Sequence, residues 1–255
     1  MAPDASHFPT NHVGFWYLRN SERSDSGNDP MKPMSEQHFA ILRRHMVEVI
    51  GIHMDLMSDE IGRGALAERV VAVLRNVPRH LFVPAQIAAL AYQDGPLPIG
   101  FDKTISQPFI GALMIDLLAP RPEESVLEVG TGLGYQAAVL AQLASRVWSV
   151  EIVEEFAEAA KTRLQELGIT NVTIRVGDGR RGWPEHAPFD MILVTAAARQ
   201  VPELLLEQLK PGGRMVIPIG SAEAQQLTLI SKEPGDEIEQ REVLFVRFTQ
   251  LETGH

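Results

Sequence analysis

Short apolar runs alternate with amphipathic stretches through the second half of the chain, and that alternation predicts most of the architecture. Candidate strands fall at 126–129, 147–150, 172–176, 191–194 and 215–218, all short and dominated by Val, Ile, Leu and Met. Helices are expected between them at about 135–144, 153–167 and 202–209, the second closed by Gly168. Strands that alternate with helices imply a parallel sheet covered on both faces. Two further strand-like runs, 225–231 and 241–248, flank a polar Pro234-Gly235 turn and predict an antiparallel hairpin on one edge. The expected fold class is therefore α/β, with a mostly parallel, seven-stranded sheet.

The first half reads differently. Residues 36–57 have helical spacing, with Phe39, Leu42, Met46, Val49 and Ile50 on one face, and a second helix is expected at about 65–77 through Leu66, Val70, Val71 and Leu74. The stretch VPRHLFVP, 77–84, is bounded by prolines and reads as a connector. FIGALMIDLL is apolar enough for a buried helix, with Pro108 suited to its first turn. Residues 1–35 mix Pro, Ser, Asn, Asp and Gly without a period and are expected to be a disordered tail, anchored at most through Phe15-Trp16-Tyr17; Met31 and Met34 are alternative starts. The domain reading is a single unit over 36–255, with a helical extension at about 36–80.

Composition narrows the possible functions. The 255 residues, 45% of them hydrophobic, suffice for a substantial core. With no cysteine, disulfides, thiolate metal sites and cysteine nucleophiles are excluded. A net charge of −10, from 33 acidic and 23 basic residues, disfavours general nucleic-acid binding. No window approaches the ~20 apolar residues of a membrane span, so the expectation is a cytoplasmic protein without a membrane or nucleic-acid partner. The eight histidines lack metal-binding spacing, and no metal is expected.

The most informative stretch is VLEVGTGLGYQAAVLA at 126–141. Its glycines follow the first strand of the alternating region, where an open α/β sheet holds its ligand. A dinucleotide turn would read G-x-G-x-x-G, but Gly130, Gly132 and Gly134 are spaced G-x-G-x-G and position 135 is Tyr; a P-loop is excluded because no Gly-Lys-Ser/Thr follows. The pattern E-x-G-x-G-x-G, with Glu128 as its acid and Thr131 within it, resembles motif I of Rossmann-like methyltransferases that use S-adenosylmethionine. Glu151 ends the second strand, where a carboxylate can accept from both ribose hydroxyls. Asp178 and Gly179 follow the third strand, on the adenine side. Any one of these glycines has a plain reading as a tight turn; the series at successive strand ends points to a nucleoside site.

The chain as a whole resembles the protein L-isoaspartate (D-aspartate) O-methyltransferase family. VPRHLFVP, YQDGPLPIG, TISQPFIGALM, the glycine stretch, NVTIRVGDGRRGWPEHAPFDMILVTAAA and PELLLEQLKPGGRMVIPIG carry the likeness over roughly 65–250. The resemblance implies S-adenosylmethionine as methyl donor and isoaspartyl peptides and proteins as acceptors. It places Ser106 beside the transferred methyl as the catalytic residue, with Thr104, Ile105, Thr195 and Ala196 lining the substrate side. The alternative for Ser106 is a plain N-cap of the helix beginning near Pro108. Glu128 is expected at the cofactor's amino group, Tyr135 there or in the core, and Pro218, Ile219, Gly220 and Gln225 at the far wall. One departure stands out: Phe245-Val246-Arg247-Phe248 has Arg247 where the family tends to carry proline, which puts peptide preference in doubt. The first 60 or so residues also exceed the family's usual length.

This chemistry asks little of acid–base machinery. A carboxylate acceptor with a pKa near ~4 is already ionised at neutral pH, and placing its oxygen in line with the methyl can contribute ~7–11 kcal/mol. A carboxyl methyltransferase dedicated to one partner, and a cofactor-binding module without catalysis, are the rival readings.

Overall fold

The computed structural model describes residues 34–253. Positions 1–33, with the Phe15-Trp16-Tyr17 anchor and Met31, lie outside the described residues. Helix α1 (Glu36–Leu56) starts at Ser35, whose hydroxyl accepts the His38 N–H at 3.4 Å while the His38 ring accepts the Ser35 N–H. It buries Phe39, Met46, Val47, Ile50 and Met54 in the same apolar cluster as the rest of the N-terminal half. Leu42 and Val49, expected on that face, are half-buried. Buried Arg43 ties the helix down through the Arg75 carbonyl (2.8 Å) and the Tyr92 hydroxyl (3.3 Å). After a single turn, α2 (Ser58–Ile61), comes α3 (Glu68–Asn76), shorter than the expected 65–77 because Ala67 takes the N-cap position and donates its N–H to Asp116 at 2.8 Å.

The supposed connector is wound. Arg79–Phe82 and Ala85–Leu90 are 3-10 turns, and Arg79, His80 and Phe82 are buried. Strands β1 (Leu97–Gly100) and β2 (Lys103–Ile105) then form a small antiparallel hairpin absent from the pattern-based reading. Its two-residue loop holds Phe101 at φ 48° and Asp102 at φ 54°, the left-handed pair that a tight hairpin needs but that Asn-Gly normally supplies. Helix α4 (Pro108–Leu118) follows, with Pro108 at its first position and nearly every residue buried.

From here the alternation holds: β3 (Ser125–Val129), α5 (Tyr135–Ala141), β4 (Arg146–Glu151), α6 (Glu154–Glu166), β5 (Val172–Val176), β6 (Phe189–Val194), α7 (Glu203–Glu207), β7 (Leu209–Gly220), β8 (Gln225–Lys232) and β9 (Ile238–Val246). The sheet order is β5-β4-β3-β6-β7-β8-β9, parallel from β5 to β7 and antiparallel from β7 to β9. Pattern reading shortens β7 and lengthens α7, because Leu209 already pairs with Phe189 and the strand carries a bulge, with Gly212 at φ 79°, before pairing resumes at Arg214. Strand order reverses between β3 and β6, the place where such sheets open a crevice beyond their carboxyl ends.

Candidate active site

A cleft lies at that reversal, lined by residues that include Val129, Gly130, Gly132, Val150, Glu151, Gly179, Thr195 and Ala196. The bend after β3 places Gly130, Gly132 and Gly134 at φ 94°, 53° and 96°. Gly130 is obligatory for a second reason: a Cβ there would come within 2.4 Å of Thr195 Oγ1. That hydroxyl donates to the Val129 and Gly130 carbonyls at 3.1 and 2.8 Å, so the end of β6 braces the bend. Glu151, at the end of β4, accepts the Gly132 N–H at 2.7 Å on one oxygen and the Val153 N–H at 3.0 Å on the other. Each oxygen keeps acceptor capacity toward the cleft.

Behind the bend is a buried polar chain. Thr131 Oγ1 and Ser149 Oγ are 2.5 Å apart, and Ser149 donates to Glu128, whose other oxygen has no partner among the described residues. Burial raises the Glu128 carboxyl to about 8, with the charge of Glu151 adding and the Ser149 hydrogen bond opposing. Burial thus favours the protonated form of Glu128, which is fully buried and not among the residues lining the cleft.

On the opposite rim, β2 delivers Lys103 and Thr104 to the cleft lining. Ile105 is buried and Ser106 half-buried; neither lines the cleft. Two clamps fix this loop. Arg79, 1% exposed, donates Nη2 to the Ser106 carbonyl and Nε to the Ala91 carbonyl, both at 2.7 Å, with its guanidinium 4.8 Å from the Tyr135 ring centroid. Burial lowers the Arg79 pKa. Asp94 accepts from Gln107 Nε2 at 2.8 Å and from the Phe109 N–H at 3.2 Å, and pairs with His53 at 2.9 Å. Gln107, not Ser106, occupies the N-cap position of α4, so the plain capping role for Ser106 is corrected: Asp94 satisfies the helix start from another loop. The Ser106 hydroxyl makes no hydrogen bond among the described residues.

The third wall is the segment after β9. Thr249, Gln250, Leu251 and Glu252 line the cleft, none of them singled out by the sequence reading. The Thr249 carbonyl accepts from the Ala197 N–H and the Leu251 N–H donates to the Ala197 carbonyl, both at 2.8 Å. Gln225, 2% exposed, grips Phe248 on both sides, accepting its N–H at 2.6 Å and donating to its carbonyl at 3.0 Å. Gln225 therefore pins the strap and is not a cleft wall. Pro218 and Gly220 likewise act from behind, bonding the Ala198 backbone. Ile219 is partly buried against the second core cluster. Ile99, Val150, Ile152 and Phe156 supply the apolar lining.

Of the remaining expected residues, Gly179 lines the cleft and admits no Cβ, which would meet Val129 Cγ1 at 2.3 Å. Asp178 caps the turn beside it through the Arg180 N–H at 2.9 Å and is not in the lining. Gly134 packs on Ala160, and Tyr135 is buried in the core. Arg247 is exposed.

A glycine bend, an acid on the neighbouring strand and a cleft at the reversal of strand order place the protein among Rossmann-like, nucleoside-dependent methyltransferases. A family model described as protein-L-isoaspartate(D-aspartate) O-methyltransferase (PCMT) matches residues 52–255. A protein-L-isoaspartate O-methyltransferase of Polaromonas sp. is 51% identical over 219 residues, covering 86% of this chain and 93% of its own length. Another from Syntrophobacter fumaroxidans is 50% identical, covering 87% and 90%. A solved protein-L-isoaspartate O-methyltransferase superposes with a TM-score of 0.69 at 30% identity, over 82% of this chain and 65% of that one. A Plasmodium falciparum structure, titled as a putative enzyme of this kind in complex with S-adenosyl-L-homocysteine, has the same fold, with a TM-score of 0.68 at 24% identity. The chain belongs to the protein-L-isoaspartate (D-aspartate) O-methyltransferase family.

Proposed function

We propose that the protein transfers the methyl group of S-adenosylmethionine to the free α-carboxylate of L-isoaspartyl residues in damaged peptides and proteins. The resulting ester closes to a succinimide, whose hydrolysis returns part of the material to aspartate. One observation carries the reading: the cleft joins a nucleoside-type wall, Gly130, Gly132 and Glu151, to Lys103 and Thr104, which lead into a loop clamped from two sides.

The residues present suit S-adenosylmethionine. Glu151 has free acceptor capacity for ribose hydroxyls, the side-chain-free glycines admit close approach, and the partnerless buried oxygen of Glu128 lies behind the bend. When bound, the cofactor supplies an electrophilic methyl on a sulfonium, which the acceptor oxygen takes in line as the thioether leaves. The chain's own contribution is placement. Arg79 and Asp94 hold the 104–109 backbone, which leaves the Ser106 hydroxyl to orient the acceptor and the exposed Thr104 to contact the peptide. No general base is required, because the acceptor arrives ionised.

The test is transfer of labelled methyl from S-adenosylmethionine to an isoaspartyl peptide and to its aspartyl twin, with base-labile ester as product. Repair requires a large preference for the isoaspartyl form. Equal rates on the two would sink repair in favour of a dedicated acceptor, and no transfer would leave only a binding module.

A further inference from the structure

Lys103 is the one cation among the residues lining the cleft, and its ammonium is ion-paired with the Glu252 carboxylate at the end of the strap. The pair closes the rim between β2 and the segment after β9. Its two halves are held differently. The Lys103 backbone is fixed by pairing with Gly100 across the small hairpin, and its side chain is 21% exposed. Glu252 is 54% exposed and follows Leu251, whose N–H makes the last backbone hydrogen bond of the strap among the described residues. Glu252 can therefore swing away while Lys103 stays.

The proposed acceptor is itself a carboxylate, chemically equivalent to the one Lys103 now holds. We infer that Lys103 is a substrate-binding residue for the acceptor carboxylate and that Glu252 is its internal stand-in, displaced when peptide binds. This rests on the function proposed above. The exchange is feasible because a half-exposed ion pair contributes little net stability, so trading one carboxylate for another costs little. It also gives a direction to turnover. Methylation converts the acceptor from an anion to a neutral ester while the sulfonium becomes a neutral thioether, so the reaction removes the charge that Lys103 binds. Glu252 can then reclaim the ammonium as the ester leaves, reclosing the strap. The group that would compete with substrate is thus the group that favours product release.

The test uses Lys103→Gln, Glu252→Gln and the double variant in the full chain, with a short isoaspartyl peptide and saturating S-adenosylmethionine, alongside calorimetric binding of S-adenosylhomocysteine. Lys103→Gln should raise the peptide KM by at least about twofold, the roughly tenfold or more of one charge-assisted contact divided by the about 2- to 5-fold that wild type already loses in giving up Glu252. Glu252→Gln should lower it, by about 2- to 5-fold, as expected for removal of a weakly paired competitor. The double variant should match Lys103→Gln alone, since no competitor remains to be removed. S-adenosylhomocysteine affinity should change less than about twofold in all three, which separates the effect from a distorted cleft. A Glu252→Gln that raises the KM, or peptide KM values unmoved in both single variants, overturns the exchange while leaving the methyltransferase reading intact. A wild-type enzyme that transfers no methyl to the isoaspartyl peptide overturns that reading and the exchange with it.

Discussion

Replacing Glu151 by Gln is the sharpest single probe of the nucleoside wall, because it removes a charge and keeps the volume. The carboxylate accepts the Gly132 N–H at 2.7 Å and the Val153 N–H at 3.0 Å, and the ribose hydroxyls are expected to use its remaining lone pairs. An amide offers one acceptor oxygen and one donor NH2. Whichever way it turns, one backbone N–H faces a donor and one ribose contact loses its charged acceptor. Hydrogen bonds to a charged group contribute ~1.5–3 kcal/mol, so each one lost should weaken S-adenosylhomocysteine about 10- to 150-fold. Calorimetric titration reads that Kd directly, and urea denaturation of the unliganded variant shows whether the loss of the backbone ties unfolds it. A folded Glu151→Gln with a Kd within about threefold of wild type would refute the assignment.

Four other changes probe the rest of the site. Ser106→Ala should lower kcat by about tenfold or more while S-adenosylhomocysteine affinity stays put, since an orienting hydroxyl acts at the acceptor; unchanged turnover on an isoaspartyl peptide removes the role. Arg79→Lys keeps the charge but loses the fork, so as a positioning residue Arg79 should show kcat reduced about tenfold with cofactor Kd held within about twofold; a lower Tm with intact kcat would mean a structural role only. Gln225→Ala releases Phe248 and should speed proteolysis of the C-terminal strap while weakening cofactor binding roughly 3- to 10-fold; undiminished protection would show that the strap holds by other means. Glu128, raised from an ordinary 4.5 to about 8, keeps a proton that the unfolded chain releases, so its contribution to stability falls as pH climbs between those values, by at most about 1.4 kcal/mol per unit. Denaturation from pH 5 to 8 should therefore slope less in Glu128→Gln, and parallel curves would contradict the raised value.

What the chain reveals on inspection is the part with a period or a spacing. The strands of the sheet and the bend at 130–134 are legible because parallel pairing demands continuous apolar runs and because the bend's positive φ values favour glycine, with the close approach of Thr195 admitting nothing larger at Gly130. Thr104 is found through TISQP, whereas Lys103, one residue before that motif, carries no signal of its own. The hairpin that carries both is not legible, since Phe101-Asp102 lacks the residues that usually mark a two-residue turn. Arg79 hides in a segment that looks like a linker; the one available signal was an arginine inside an apolar run flanked by prolines, which burial turns into a clamp. The strap escapes for a different reason: Thr249 to Glu252 has no pattern of its own, and its place is set by Gln225 and Ala197, 23 or more residues away.

The charges around the cleft explain why so few groups are needed. Glu151 faces the proposed nucleoside, Glu252 and Lys103 neutralise each other at the rim, and burial favours the neutral form of Glu128 behind the bend. A sulfonium and a carboxylate brought together in that setting cancel as the bond forms, so the step lowers the charge in the cleft and gains from excluded water. A permanent unpaired cation beside the sulfonium would repel it, whereas Lys103 is neutralised by Glu252 before the peptide arrives and by the acceptor afterwards. The same reasoning fixes a salt dependence: because the proposed exchange swaps one carboxylate for another, added salt screens both states alike, and the peptide KM of wild type should respond to ionic strength less than that of Glu252→Gln. A wild-type KM that rises with salt as steeply as the variant's would show that Lys103 meets the peptide without giving up a partner.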